Sequence, residues 1–146
     1  ELSSTLPVDT DAFVLKLDAD GNVLWFQQVG GAGNQSARAV AIDDAGNVFL
    51  AGIFAGVIEL EGGTLAAQGK DGFVVGFTAD GDYRLSSSVT GPAEVVVEAL
   101  AWDSQHRHLI VGGNFQTSVD VLGSVLTGDA DNDWDAFVAS LSITGL

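Results

Sequence analysis

This sequence has no cysteine and no methionine, and only five lysines and arginines stand against 20 aspartates and glutamates. Without cysteine, neither a disulfide nor a thiolate metal site can form. The formal net charge of −15 excludes nucleic acid as a partner, because phosphates are held by Lys and Arg that displace counterions. No apolar run approaches the ~20 residues a helix needs to cross a bilayer, and no signal peptide opens the chain at Glu1. A Gly-x-Ser-x-Gly elbow is also absent. Carboxylates are so abundant that a pair such as Glu94 and Glu98 says nothing about glycosidase chemistry, and an enzyme is not expected. No window carries the sustained apolar period of a helix.

What the sequence does contain is the same text twice and the start of a third copy. Asp11-Ala12-Phe13-Val14 returns as Asp71-Gly72-Phe73-Val74 and again as Asp135-Ala136-Phe137-Val138. The match extends, without a gap, through Ala19-Asp20-Gly21 and Ala79-Asp80-Gly81, Gly31 and Gly91, Ala39 and Ala99, Asp43 and Asp103, to Gly52 and Gly112. One inserted residue then brings Phe54 onto Phe115, Ile58 onto Val119 and Leu65 onto Leu126. A period of this size marks a repeat architecture, in which one supersecondary unit cannot bury its apolar face alone. The expected divisions are an extension at 1–10, repeats at 11–70 and 71–134, and the first strand of a third repeat at 135–146.

Within each copy the pattern is of short antiparallel strands. Ala12 to Leu17 and Val23 to Val29 flank the turn residues Asp18-Ala19-Asp20-Gly21-Asn22 and read as a hairpin. Ala37 to Ile42 and Val48 to Phe54 flank Asp43-Asp44-Ala45-Gly46-Asn47 and read as a second. A shorter pair, Val57 to Leu60 and Thr64 to Ala67, fills the rest of the period. The chain is therefore expected to be all-β, with two repeats of mainly four antiparallel strands plus one terminal strand. Four main strands per unit, many of them apolar on both faces, describe a propeller-like blade. Small residues such as Ala39, Ala41, Gly52, Ala99, Gly112 and Gly113 are read as strands crowded by a neighbouring sheet.

The stretch Asp11 to Trp25 (DAFVLKLDADGNVLW), Gly30-Gly31 followed by Ala37-Arg38-Ala39-Val40-Ala41-Ile42-Asp43, and Gly46-Asn47-Val48-Phe49-Leu50-Ala51-Gly52 resemble the bacterial β-propeller repeats of the SBBP type, including the repeat lipoproteins of myxobacterial type. The resemblance covers almost the whole chain. The second copy departs from the pattern: Trp25 becomes Leu85, Lys16 becomes Gly76, and Gly46-Asn47-Val48 becomes His106-Arg107-His108. The resemblance implies an extracytoplasmic location, secreted, periplasmic or at the cell surface, and a repeated scaffold without an assigned chemistry.

A propeller closes with roughly four to eight blades, so two periods and one strand do not make a ring. The chain is expected to be an excerpt, to assemble with copies of itself, or to stack on another protein. The absence of methionine at the start points to processing or truncation. An extra terminal strand favours an excerpt or pairing with a partner's sheet edge, since an unpaired edge invites strand addition.

The sharpest chemical pattern is Asp129-Ala130-Asp131-Asn132-Asp133-Trp134-Asp135. Oxygen ligands at alternate positions, here Asp129, Asp131, Asp133 and Asp135, suit calcium, but Trp134 stands where such loops need glycine and no glutamate closes the site. The competing reading is a solvated acidic turn in which Asp135 repeats the structural role of Asp11 and Asp71. Asp18, Asp20 and Asn22 belong first to their hairpin turn. His106 and His108 have the spacing of strand neighbours that share a metal, or of an exposed turn. Trp25 and Trp102 are expected in the core, whereas Trp134, with Asn132 in the longer acidic loop, is the expected aromatic anchor for a protein partner. The leading expectation is a non-enzymatic scaffold for protein interaction or assembly. A carbohydrate- or calcium-binding adhesion module stands second and a hydrolase fragment third.

Overall fold

The computed structural model describes residues 9–129 and 133–143. Among these the chain is all-β: β1 (Ala12–Leu17), β2 (Val23–Val29), β3 (Gly33–Ile42), β4 (Val48–Leu60), β5 (Gly63–Ala66), β6 (Asp71–Phe77), β7 (Tyr83–Thr90), β8 (Val95–Asp103), β9 (His108–Gln116), β10 (Ser118–Val121), β11 (Ser124–Thr127) and β12 (Trp134–Ser142). All pairings are antiparallel.

Three layers stack. The first is the hairpin β1–β2, the second runs β3–β4–β6–β7, and the third runs β8–β9–β12. The far end of β4 folds back on β5, and β10–β11 forms the matching side hairpin of the next copy. Each side hairpin reaches back to the last strand of the layer before it, through Glu59 to Gly30 and through Asp120 to Thr90. The sequence period begins at β1 and β6, but the complete sheet begins at β3. The chain crosses between layers at residues 30–33 and 91–94, where β2 and β7 end, and not ahead of each Asp-x-Phe-Val.

Strand alternation explains the two cores. On β6, Phe73, Val75 and Phe77 face back to the first layer and pack with Ala12, Val14 and Trp25. Val74 faces forward and packs with Val95, Val97 and Phe137 of the third. With layers on both sides every residue of β6 is buried, as a strand at the centre of a stack must be. Gly72 marks how close the layers come, since a Cβ there would stand 2.5 Å from Val97 Cγ2.

Two local readings change. Gly52 and Gly113 are small because of their own sheet: a Cβ on either would strike the carbonyl oxygen of Ser36 or Val96 in the adjacent strand. At both places that strand bulges, with Arg38 and Glu98 as the extra residues. The inserted residue also moves. Ile42 pairs Val48 and Trp102 pairs Leu109, so the insertion lies in the turn between β8 and β9, and Gly52 corresponds to Gly113. Arg107 (φ +57°) accordingly takes the place of Gly46 (φ +82°).

Candidate interaction site

The acidic turns are occupied by their own backbones. Asp18 accepts from the amides of Asp20 and Asn22 and from the Asn22 side chain, all within 2.9 Å, and Asp43 does the same with Ala45 and Asn47. The Asn22 side-chain bond, then its backbone amide, holds the Asp18 carboxyl below the usual aspartate value. Burial pushes Asp43 up, but Asn47, Ala45 and the Arg84 guanidinium 3.5 Å away outweigh it and leave it lowered. Asp103 is lowered first by its 2.7 Å bond to His106 Nδ1. His106 lies in the turn and His108 opens β9, where its Nδ1 meets Ser140 Oγ at 2.8 Å. The rings are 6.4 Å apart, each tied to a different partner.

The terminal acidic loop is described only in part. Asp131 and Asn132 lie outside the described residues, Asp129 and Asp133 are exposed, and Asp135 is half-buried against Gly128. Asp135 holds in β12 the position of Asp71 in β6. Asp71 is fully buried and accepts from the amides of Gln68 at 2.9 Å and Gly91 at 3.3 Å, tying the entry of its own strand to the crossing into the next layer. Among the described residues no three His, Asp or Glu side chains gather at metal-binding distance. Glu94 is paired with Lys70 at 3.2 Å, while Glu98 stands exposed at its bulge.

The three tryptophans separate. Trp25 packs on Phe77, donates its indole N–H to the carbonyl oxygen of Ala79 at 3.0 Å, and lies under Lys16, whose Nζ donates to the same oxygen at 2.6 Å. Gln27 adds a bond to the carbonyl of Gly81 at 2.8 Å. The first layer thus grips the β6–β7 turn with three polar side chains, which the sequence reading missed. In the second copy their places are taken by Gly76, Leu85 and Ser87. That interface relies instead on Trp102 stacked on Phe49, with centroids 6.3 Å apart and planes 9° apart. Both tryptophans are half-buried and packed against the cores. Trp134 opens β12, is half-exposed, and shares a shallow groove of about 360 Å³ with Val96, Glu98 and Asn114 on the outward face of the third layer.

The larger uncovered features are sheet surfaces. Phe13, Leu15 and Leu17 of β1 are 54%, 43% and 48% exposed, and Leu24 and Phe26 stand beside them on β2. Their counterparts Phe73, Val75 and Phe77 are 0–3% exposed. At the other end of the stack Val138 is 75% exposed. The repeat itself was the signal for this surface, because the same row is apolar in each copy and only the two copies with a layer in front of them bury it.

Residues 24–52 match the SBBP model, described as a β-propeller repeat. The chain is also similar to the regulatory protein FlaEY of Caulobacter vibrioides, with 30% identity over 142 residues, 94% of this chain and 14% of that protein. It thus spans far less than two thirds of the curated relative it matches. The doubled sequence and the antiparallel layers stacked face to face agree with the family match, which identifies an SBBP-type β-propeller repeat at residues 24–52 of an all-β chain.

Proposed function

We propose that this chain is a non-enzymatic scaffold that acts outside the cytoplasm and holds a protein partner, or further blades, against its open sheet faces. The row Phe13, Leu15 and Leu17 carries the reading. The chain contains two instances of what such a row does when another layer stands before it: Phe73, Val75 and Phe77 pack on the first layer, and Phe137 and Leu141 pack on the second. Covering three half-exposed large apolar side chains contributes roughly 1 kcal/mol each, a favourable share of an interface that the neighbouring strand β2 would extend. The partial share of FlaEY, a protein named as regulatory, fits a module that works within a larger assembly. The extracytoplasmic placement is part of the proposal and rests on the family resemblance alone. Light scattering coupled to gel filtration tests the scaffold role: association that depends on the β1 row supports it, and a folded chain that neither self-associates nor captures a partner through that row removes it.

A further inference from the structure

We propose that the cavity between the β3–β4 turn and the β8–β9 turn is a binding site for a small zwitterion, a free α-amino acid, held with its ammonium group against Asp44 and its carboxylate against Arg107. The site lies apart from the β1 row and goes beyond the scaffold reading.

The cavity measures about 240 Å³ and is lined by Asp43, Asp44 and Ala45 from the second layer and by Trp102 and Arg107 from the third. Two of these walls are held in place by other contacts. Trp102 stacks on Phe49, and Asp43 is taken up by the amides of Ala45 and Asn47 and by Arg84. The remaining charges are unmatched: the Asp44 carboxylate and the Arg107 guanidinium are both exposed, stand on opposite walls, and have no hydrogen bond or ion pair among the described residues. In a chain with 20 acidic and five basic residues, an arginine that lines a cavity with two aspartates and pairs with neither calls for an explanation. Lys16, Lys70 and Arg84 each hold a partner. The indole N–H of Trp102 is also buried without an acceptor among the described residues, whereas that of Trp25 is bound to Ala79. Buried polar groups in folded proteins normally have partners, so an unmet donor beside an unmet cation marks the third-layer wall as the side for an anion.

The repeat supplies a second line of argument. Where the second copy has Trp102 and Arg107, the first has Ile42 and Gly46. Arginine at φ +57° carries the left-handed strain that glycine avoids, and such strain concentrates at ligand clamps. The second copy thus departs from the repeat where the cavity opens. An anion alone would face Asp43 and Asp44, and a cation alone would face Arg107; like charges set against each other are costly. An α-amino acid meets both walls at once, because its ammonium donates to a carboxylate and its carboxylate accepts the parallel N–H groups of a guanidinium. The cavity is smaller than the roughly 300–1,000 Å³ of sites for drug-sized ligands, which limits the occupant to a small molecule. An apolar side chain on that molecule would lie against Trp102.

The test titrates the intact chain with L-leucine and follows the Trp102 indole and Asp44 amide resonances by NMR. The expected result is saturable shifts at both, with a Kd of about 1 mM, weak because both charges are exposed. N-acetyl-L-leucine, which lacks the ammonium, and L-leucine amide, which lacks the carboxylate, should each bind about fivefold or more weakly. Asp44→Asn should weaken L-leucine binding to a similar degree. So should Arg107→Gly, which removes the guanidinium while relieving the left-handed strain and so keeps the fold. No saturable shift up to about 50 mM L-leucine, blocked derivatives that bind as well as L-leucine, or variants with unchanged affinity would overturn the site. Neither variant touches β1, so failure of this site leaves the scaffold reading standing on its own test.

Discussion

Thr117 occupies in the second copy the place that Gly56 occupies in the first, and both take left-handed backbone, with φ +64° and +89°. Their carbonyl oxygens accept from equivalent amides, Gly128 at 2.8 Å and Ala67 at 2.9 Å. A β-branched residue there is strained, and the Thr117 hydroxyl is buried with no hydrogen-bond partner among the described residues. Left-handed backbone costs an L-residue about 1–2 kcal/mol, while glycine gives back about 0.5–1 kcal/mol in unfolded-state entropy. Thr117→Gly should therefore stabilise the chain by about 0.5–1 kcal/mol in urea unfolding. A loss of stability would show that the hydroxyl or methyl makes a contact that outweighs the strain.

The spacing between layers is set by small residues, and Gly72 is the most demanding. A Cβ there would meet Val97 Cγ2 at 2.5 Å and Val89 Cβ at 3.3 Å, both on fully buried side chains. Gly72→Ala should cost about 1–3 kcal/mol by overpacking, and Gly72→Ala with Val97→Ala should recover part of it in a double-mutant cycle. Strictly additive losses would mean that the two layers are not in contact at this point.

Asp71 should behave as a structural clamp. Its buried carboxylate serves the amides of Gln68 and Gly91, and Asp71→Ala would leave both without their acceptor. The expected cost is about 3 kcal/mol. Asp71→Asn, which keeps one acceptor oxygen, should lose clearly less. Equal losses in chemical denaturation would show that packing, and not the paired amides, is what the residue supplies.

Acid should loosen the turns. Asp18, Asp43 and Asp103 are all lowered from the ordinary value of 3.8 by the hydrogen bonds described above. A carboxyl depressed in the folded state contributes stability that is fully present above its unfolded value and is lost as pH falls through the folded one. Melting temperature should therefore hold from neutral pH to about pH 5 and fall below about pH 4. Asn22→Ala and Asn47→Ala should make that fall smaller, because they remove side-chain donors that produce the depression. A melting temperature unchanged down to about pH 2 would contradict this origin of turn stability.

Much of the fold is legible because hairpin chemistry is local. Asp18-Ala19-Asp20-Gly21-Asn22 specifies its turn through side chains that bond their own amides, and alternation in β1 and β6 specifies which side chains face which way. The phase of the blade is not local. Nothing in the letters around Gly30 to Gly33 states that the chain leaves one sheet there for the next, so the period and the sheet are offset by two strands. The place of the inserted residue is hidden for a related reason: Gly112-Gly113 accepts either alignment by letter, and it is the strand pairing, with Trp102 opposite Leu109 across a turn one residue longer than that between Ile42 and Val48, that decides it. The interface donors Lys16, Trp25 and Gln27 act on carbonyls of Ala79 and Gly81, which have no side-chain signature. The open row on β1, by contrast, was already written in the repeat, since Phe13, Leu15 and Leu17 copy Phe73, Val75 and Phe77.

The most direct test of the scaffold account is the native mass of this 15.0 kDa chain by light scattering across a concentration series, beside Phe13→Asp and Leu15→Asp variants whose circular dichroism confirms their folding. The account predicts that the unaltered chain associates with rising concentration and that both variants, changed only at exposed positions, remain monomeric. A wild-type chain that stays monomeric throughout and captures no partner through β1 would contradict it. So would variants that associate as strongly as the wild type.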